Sequence, residues 1–477
     1  MKNDFKSGIF FTAIAQYSTV VVQLVLNMVL SRLLTPEQIG IVTTVQVLIL
    51  FFQLLTGTAI SPAIVQNKEL KDEDYGVIFN YTILIGVIAS LFFGIVGGFT
   101  LSTIFNNSIY IPICWSMSLI ILTSAMNQVP NGILSKEKRF KAISLRLASA
   151  SVLSGIMGIA LAFLHAGIYS LVITFTMIET IILVLNLRLV DIKFTRSMHL
   201  EPMKKIFSFV KHQTSFLLLN YFYRNFDNLL VSKFFGAKPL GNYSRSYQLL
   251  SLPITVFLSV VNPVLQPILA EHEKNIPLIR DTYLKISQIL AFIAIPVSVF
   301  FSLNAEPIIY LLFGNQWGGA VVPLKYLSLS IWAQMLAQMM PAIWQARNLV
   351  RIQSFNGLVS LGTICISIIV GISFGSIDTV AIAVSISYII NFVISGSLLM
   401  TRALEGHLSS IIRNLIKPFL LGILLYAVLY FTQDFTNILN SFVTLLVRGS
   451  IWLVLSVVFL YFSGDLKNIK QLVKNNE

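Results

Sequence analysis

Long apolar runs separated by short polar gaps recur along the whole 477-residue chain. A helix that crosses a bilayer takes about 20 mostly apolar residues. Runs of that kind fall at residues 8–33, 39–65, 76–104, 109–134, 143–165, 167–190 and 208–235, then at 243–270, 283–303, 320–345, 352–375, 377–400, 413–432 and 441–462. The pattern predicts an all-α polytopic membrane protein with about fourteen transmembrane helices and no extramembrane domain. The longest outer gap, Asn304 to Gly319, carries a partly helical pattern. The stretch Asp465–Glu477 is a polar tail with spaced Ile469, Leu472 and Val473, which fits a short interfacial helix or a solvated tail equally well. The leading segment Met1–Ser7 is short and basic. The run after it is too long for a signal-peptide core and has no small-residue cleavage site, so it is read as the first span.

Composition sharpens this. Hydrophobic residues make up 56% of the chain and charged ones 11%, with a mean hydropathy of +0.81. A soluble chain carries roughly 25% charge, which it needs to solvate its surface. The net charge is +13, but the basic residues cluster in the short gaps. With the N-terminus placed inside, 26 of the 33 lysines and arginines fall in inner segments and six in outer ones. That asymmetry predicts both termini in the cytoplasm. It also replaces a nucleic-acid reading, because no aromatic-basic surface remains once the spans are removed. Cys114 and Cys365 both lie inside apolar runs, with neither metal-ligand spacing nor a disulfide framework. There is no nucleotide-binding phosphate loop and no catalytic constellation. The cluster Glu271-His272-Glu273 beside Lys274 reads as a solvated charge run. Neither an enzyme nor a metal or organic cofactor is expected.

The chain repeats itself at an offset of about 201 residues. Asn27 matches Asn228, Ser31 matches Ser232, Arg32 matches Lys233, Gly40 matches Gly241 and Pro62 matches Pro263. Further on, the offset grows to about 211, where Pro130 matches Pro341, through an insertion near Gly314–Gly319. Six spans separate the copies, so both enter the membrane in the same sense. Parallel repeats of this kind are related by an axis along the membrane normal, with the substrate site between them. The alternative is that a serine, a basic residue, apolar residues and glycine form a generic helix end. The expected organisation is two parallel six-helix bundles, 1–200 and 201–402, followed by two extra helices and a tail over 403–477.

Ionisable groups at membrane depth are costly and mark function by default. The most polar span is the seventh, where Asn220, Arg224, Asp227, Asn228 and Val231 share a face at spacings of three and four. Arg224 and Asp227 can pair across one turn. Leaving Arg224 in lipid costs at least about 2.5 kcal/mol. In the equivalent first span, Gln16, Gln23, Asn27 and Ser31 share a face. These seams suit a water-filled cavity, or for the amides helix-to-helix hydrogen bonding. Arg32, Lys233 and Arg245 sit at outer helix ends, where they snorkel to headgroups or ring an outer mouth. Glu179 stands without a charged neighbour at helical spacing. Gln334, Gln338, Gln345 and Pro341 point to a kink in the tenth span, and Asn127, Gln128 and Pro130 to one in the fourth.

The block RNFDNLLVSKFFGAKPLGNYSRSYQLLSLP (Arg224–Pro253), with LSRLLTPEQIGIVTTV (Leu30–Val45), resembles the polysaccharide-export branch of the MOP superfamily. That branch holds the Wzx-type flippases for O-antigen, capsule and teichuronic acid repeat units. The resemblance implies a flippase in the bacterial cytoplasmic (inner) membrane. Its cargo would be an undecaprenyl-diphosphate-linked oligosaccharide, moved through a cationic cavity between two six-helix bundles by alternating access. It implies cargo contacts from Arg224, Asp227, Asn228, Asn220, Gln23 and Asn27, with Arg32, Lys233 and Arg245 at the outer mouth. Partners would be membrane lipids and, beyond them, a polysaccharide polymerase and chain-length machinery. A coupling cation, H+ or Na+, would supply the drive. Relatives that export drugs carry an acid in the first span, which this chain lacks. Lipid II flippases carry several early arginines, where this chain has Arg32 alone. A cation-coupled exporter of small amphiphiles and a scaffold for a polysaccharide assembly complex stay open as alternatives.

Overall fold

The structure, a computed structural model, describes residues 20–193, 195, 197–271, 275–347, 349–436 and 440–465. The polar residue Gln16, the pair His272-Glu273 and the tail after Asp465 lie outside these. Every regular element among the described residues is a helix. In chain order they are α1 (Val20–Leu33), α2 (Pro36–Thr56), α3 (Ile60–Gln66), α4 (Asp72–Phe92), α5 (Gly98–Phe105), α6 (Tyr110–Lys136), α7 (Phe140–Phe163) and α8 (Ile168–Leu189). Then follow α9 (Glu201–Phe235), α10 (Ala237–Glu271), α11 (Ile276–Leu303), α12 (Ala305–Leu312), α13 (Val321–Ser328), α14 (Ile331–Ala337) and α15 (Met340–Ala346). The chain ends in α16 (Val350–Ser373), α17 (Ile377–Arg402), α18 (Leu408–Phe431), α19 (Gln433–Thr436) and α20 (Ser441–Phe462).

Among the described residues, ten helical segments are long and apolar enough to cross a membrane, and a bent pair makes an eleventh. Three expected spans do not meet that measure. α1 is described only from Val20, and α9 and α10 run for 35 residues each. Large apolar side chains such as Ile88, Phe99, Ile156, Ile366, Ile423 and Leu453 stand exposed on these helices. An apolar exterior of that extent suits hydrocarbon rather than water.

The chain divides into two compact units, Met1–Gly241 and Asn242–Glu477. In the first, α3, α4 and α6 share a core of Ile60, Ile64, Ile78, Phe79, Val129 and Ile133, joined by Ile192 from the connection between α8 and α9 and by Ile206 from the start of α9. That connection is strapped to α4. Asn80 Nδ2 donates to the Thr195 carbonyl at 2.6 Å and Tyr81 Oη to that of Met198 at 2.6 Å, while Lys205 pairs with Asp74 at 3.1 Å. Helix α2 starts with a capping box, Thr35 with Gln38, and Pro36 at its first position. It ends at Gly57, whose φ of +132° favours glycine. α10, which the sequence pattern pairs with the α2–α3 stretch, runs as one helix.

The closest backbone approach in the first unit lies where α2 meets the start of α10. A Cβ on Gly40 would fall onto the Ala237 carbonyl oxygen, and one on Gly241 onto that of Pro36. The arrangement is reciprocal. Pro36 and Ala237 are separated by the repeat offset, and so are Gly40 and Gly241.

In the second unit, the expected kink in the tenth span is a full break. Asn315–Ser328 and Ile331–Ala346 meet at 52°, and the break falls before Pro341, which instead opens α15. Pro130 behaves differently: α6 runs through it from Tyr110 to Lys136. The Asn304–Gly319 segment is largely helical, as the sequence suggests, in α12 and a 3-10 stretch. α18 and α20 pack on α11 through Phe292, Val299, Leu421, Leu425 and Trp452, whose indole N–H donates to the Pro296 carbonyl at 2.9 Å. The buried end of the indole thereby finds an acceptor on a helix carbonyl.

The reciprocal glycines carry a stability prediction. Gly40→Ala forces a methyl against a backbone carbonyl that cannot rotate away, so it lowers the thermal unfolding midpoint of the detergent-purified protein. Gly362→Ala in α16 meets open space and leaves that midpoint unchanged or raises it, since alanine is favoured in a helix interior by about 1 kcal/mol.

Candidate substrate-handling site

The polar face of α9 is presented in graded environments. Asn220 is half-buried and turns its Nδ2 onto the Phe216 carbonyl of its own helix at 3.0 Å. Arg224 is exposed. Asp227, one turn on, is 5% exposed, and its Oδ1 accepts from the Asn228 backbone N–H at 2.8 Å. The expected Arg224–Asp227 ion pair is not formed: among the described residues no ion pair joins them. Arg224 is exposed whereas Asp227 is buried. Asn228 holds its Oδ1 buried without a hydrogen-bond partner. α9 is fastened to α2, on the side next to Asn228, by Tyr221 Oη donating to the Val47 carbonyl at 2.9 Å and by Thr44 Oγ1 with Ser232 Oγ at 2.8 Å. Rings of Phe51, Tyr221 and Phe222 pack beside them.

On α1, Gln23 is exposed, Asn27 half-buried and Ser31 buried. The seam therefore passes from open at Gln23 to closed at Ser31. Leu26 fills the space over Gly155 of α7.

The three outer cations separate. Arg32 and Lys233 are exposed, with the Lys233 ammonium 5.7 Å from the Phe234 ring. Arg245 is 6% exposed and lies inside the second unit. Its guanidinium stacks 5.6 Å from the Phe313 ring and 5.8 Å from that of Trp317, and Nη1 donates to Gln248 Oε1. Burial excludes snorkelling for this residue. The longest outer segment is thus anchored by an arginine from α10, and delocalised guanidinium charge suits two aromatic faces better than an ammonium does.

Two further buried cations escape the sequence reading, in which Arg224 alone lies well within a span. Arg146 of α7 is 5% exposed and Arg448 of α20 is 2% exposed. Each falls inside an apolar run but near its end, so each reads as a helix-end residue; position within the run was the available signal. Arg448 donates to Asn304 Oδ1 at 3.2 Å and to the Leu303 and Gln433 carbonyls at 3.5 and 3.4 Å. It thereby serves the last carbonyls of α11, where positive charge is favoured. Glu179 of α8 does find partners across helices. Asn127 Nδ2 donates to its Oε2 and to its backbone carbonyl, both at 3.1 Å. Asn186 Nδ2 in turn donates to Asn127 Oδ1 at 2.8 Å and Asn131 Oδ1 at 3.2 Å. The described residues contain no group of three or more metal-ligating side chains.

The fold of this chain is similar to that of several solved membrane proteins. Among solved structures, the lipid II flippase MurJ in its inward closed conformation matches with a TM-score of 0.78 at 15% identity, covering 96% of this chain and 99% of that one. An inward-facing multidrug resistance MATE family transporter matches at 0.61 and 15% identity, over 84% and 99%. At such identity the likeness is one of fold. The chain belongs to the polysaccharide biosynthesis protein family, whose profile matches residues 29–322. The teichuronic acid biosynthesis protein TuaB of Bacillus subtilis (strain 168) is 24% identical over 437 residues, 90% of each chain. The lipopolysaccharide biosynthesis protein WzxC of Escherichia coli (strain K12) is 21% identical over 324 residues, 67% of this chain and 65% of the relative.

The Arg245 anchor is open to a double-mutant cycle. Arg245→Met and Phe313→Leu each destabilise the purified protein, the former by about 1–2 kcal/mol. Together they cost less than the sum, because they remove the same contact. Strict additivity of the unfolding midpoints would show that the ring and the guanidinium do not interact.

Proposed function

We propose that the protein is a flippase for lipid-linked oligosaccharides in the biosynthesis of cell-surface polysaccharide. It turns an undecaprenyl-diphosphate-linked repeat unit from the inner to the outer leaflet of the bacterial cytoplasmic membrane by alternating access. The observation that carries this reading is the family match over residues 29–322, supported by a relative of teichuronic acid biosynthesis aligned over 90% of both chains. The task is transport, not bond chemistry. A diphosphate has to cross roughly 30 Å of hydrocarbon, and the protein has to offer charge and hydrogen bonds along the way.

In this reading Arg224 meets the diphosphate, since a guanidinium gives phosphate oxygens two parallel hydrogen bonds. Its exposed position on α9 leaves it free to do so. Asp227, Asn228, Asn220, Gln23 and Asn27 line the route and suit sugar hydroxyls. Arg32 and Lys233 attract the anionic group at the outer side. The segments 1–200 and 201–402 act as the two moving halves, with 403–477 as an accessory pair of helices and tail. Both termini lie in the cytoplasm. A polysaccharide polymerase and chain-length machinery take over the product. The absence of an acid from the described part of α1 counts against the exporter of small amphiphiles, whose fold is otherwise alike.

The direct test is a flipping assay in proteoliposomes with defined lipid-linked sugars. Transport of none of them, by protein that is folded and inserted, would refute the reading. Within it, Arg224→Ala abolishes glycan display at normal membrane levels. Arg224→Lys is nearly as damaging if the contact is a bidentate clamp. Full display by Arg224→Ala would remove the cargo role. Topology is checked separately, by reporters fused at Glu477 and in the Lys136–Lys141 loop, both of which report cytoplasm.

A further inference from the structure

A second charged site lies within the first unit, away from the α9 stripe. Glu179 sits in the middle of α8, about 15 Å of helix from the inner end at Leu189. It is half-buried. One oxygen is held by the Asn127 amide, and the hydrogen-bonded amides Asn127, Asn186 and Asn131 continue from it towards the inner ends of α6 and α8. Seven residues separate Glu179 from Asn186, about 10 Å along the axis. Arg146 approaches from α7 and acts electrostatically on Glu179, yet no ion pair joins them among the described residues.

Two groups in this cluster are buried without a hydrogen-bond partner. They are Nε and Nη1 of Arg146 and Oδ1 of Asn186. A native protein rarely leaves such groups unserved, and where it does a role is called for. A buried guanidinium with two idle donors needs an anionic or water oxygen; a buried amide oxygen needs a donor. Glu179 stands between these demands. It can stay on the Asn127 amide or swing to the Arg146 guanidinium, and the two positions favour opposite protonation states. An amide N–H tolerates the neutral acid, which still offers it an oxygen. A guanidinium favours the carboxylate.

We propose that Glu179 is the proton-carrying group of this transporter. It binds a proton while held by Asn127 and loses it on turning to Arg146. The O–H bond of the acid breaks, the proton passes to water at the amide track, and the carboxylate completes the idle guanidinium. The other titratable groups of the packed helices stand apart. α2 brings Glu37 in its first turn; α6 brings Tyr110, Cys114 and Lys136 near its ends; α7 adds Lys141 at its start, and α8 itself Tyr169 and Arg188. Arg146 is the charged group acting on Glu179. This assigns a proton as coupling ion to the transport reading above and rests on it for its purpose, though the site itself does not.

The test is infrared difference spectroscopy of the full-length protein in lipid nanodiscs, recorded between acid and alkaline buffers. The wild-type protein shows the carbonyl band of a protonated carboxyl, and Glu179→Gln loses it. Arg146→Met raises the midpoint of that band by about one pH unit or more, because the cation that favours the carboxylate is gone. Arg146→Lys keeps the midpoint near wild type. A spectrum unchanged in Glu179→Gln, or a midpoint indifferent to Arg146→Met, overturns the inference and leaves the flippase reading standing. A structural glutamate would instead show a lower unfolding midpoint in Glu179→Gln with no band lost. In proteoliposomes, a pH gradient accelerates flipping of a lipid-linked sugar by wild type and not by Glu179→Gln. Failure of wild type to flip any such lipid, with the band present, overturns the flippase reading and leaves the proton site.

Discussion

Hydrocarbon offers no hydrogen-bond partner, so every polar group at membrane depth has to find one inside the protein or face water. Most features of this structure follow from that constraint. The backbone answers it by being helical throughout the described residues. Where a helix ends or breaks at depth, a side chain steps in: Arg448 at the end of α11, and Thr58 with its hydroxyl on the Gln53 carbonyl beside the Gly57 break. Serine and threonine hydroxyls turn back onto carbonyls of their own helix, as at Thr44, Thr174 and Ser298.

The same constraint separates structural cations from working ones. Arg448 is enclosed by carbonyls and an amide at the end of α11, and Arg245 by two aromatic faces and an amide. Arg224 and Arg146 are different. One is exposed on the most polar helix, and the other is buried with idle donors beside a carboxylate. A transporter has to keep some charge incompletely satisfied, because a group already fully paired has nothing to offer a passing ion or cargo.

Close packing shapes the framework that carries these groups. Glycine lets helices approach until backbone meets backbone, and in a membrane that approach replaces the hydrophobic drive absent between lipid-solvated helices. Gly40 and Gly241 make the tightest such contact in the first unit, and Gly158 brings α7 onto Thr174 of α8. The latter contact sets Arg146 and Glu179 on neighbouring helices.

Hydropathy and charge placement determined by themselves that this is a helical membrane protein, roughly how many spans it has and where most begin, because burial in lipid demands long apolar runs. The offset of the repeat was legible too, since it rests on glycine and proline, whose backbone roles leave little freedom of substitution. What the sequence could not decide was the partner of each polar residue. Arg224 and Asp227 lie one turn apart, yet one is exposed and the other buried. Glu179 lacks a charged neighbour along its own helix, and its companions come from α6 and α7, more than thirty positions away. Arg146, Arg245 and Arg448 read as helix-end residues, and only packing buried them. Span formation is a property of one segment against solvent, whereas the fate of a charge depends on which other segments fold over it, and that is set by tertiary structure alone.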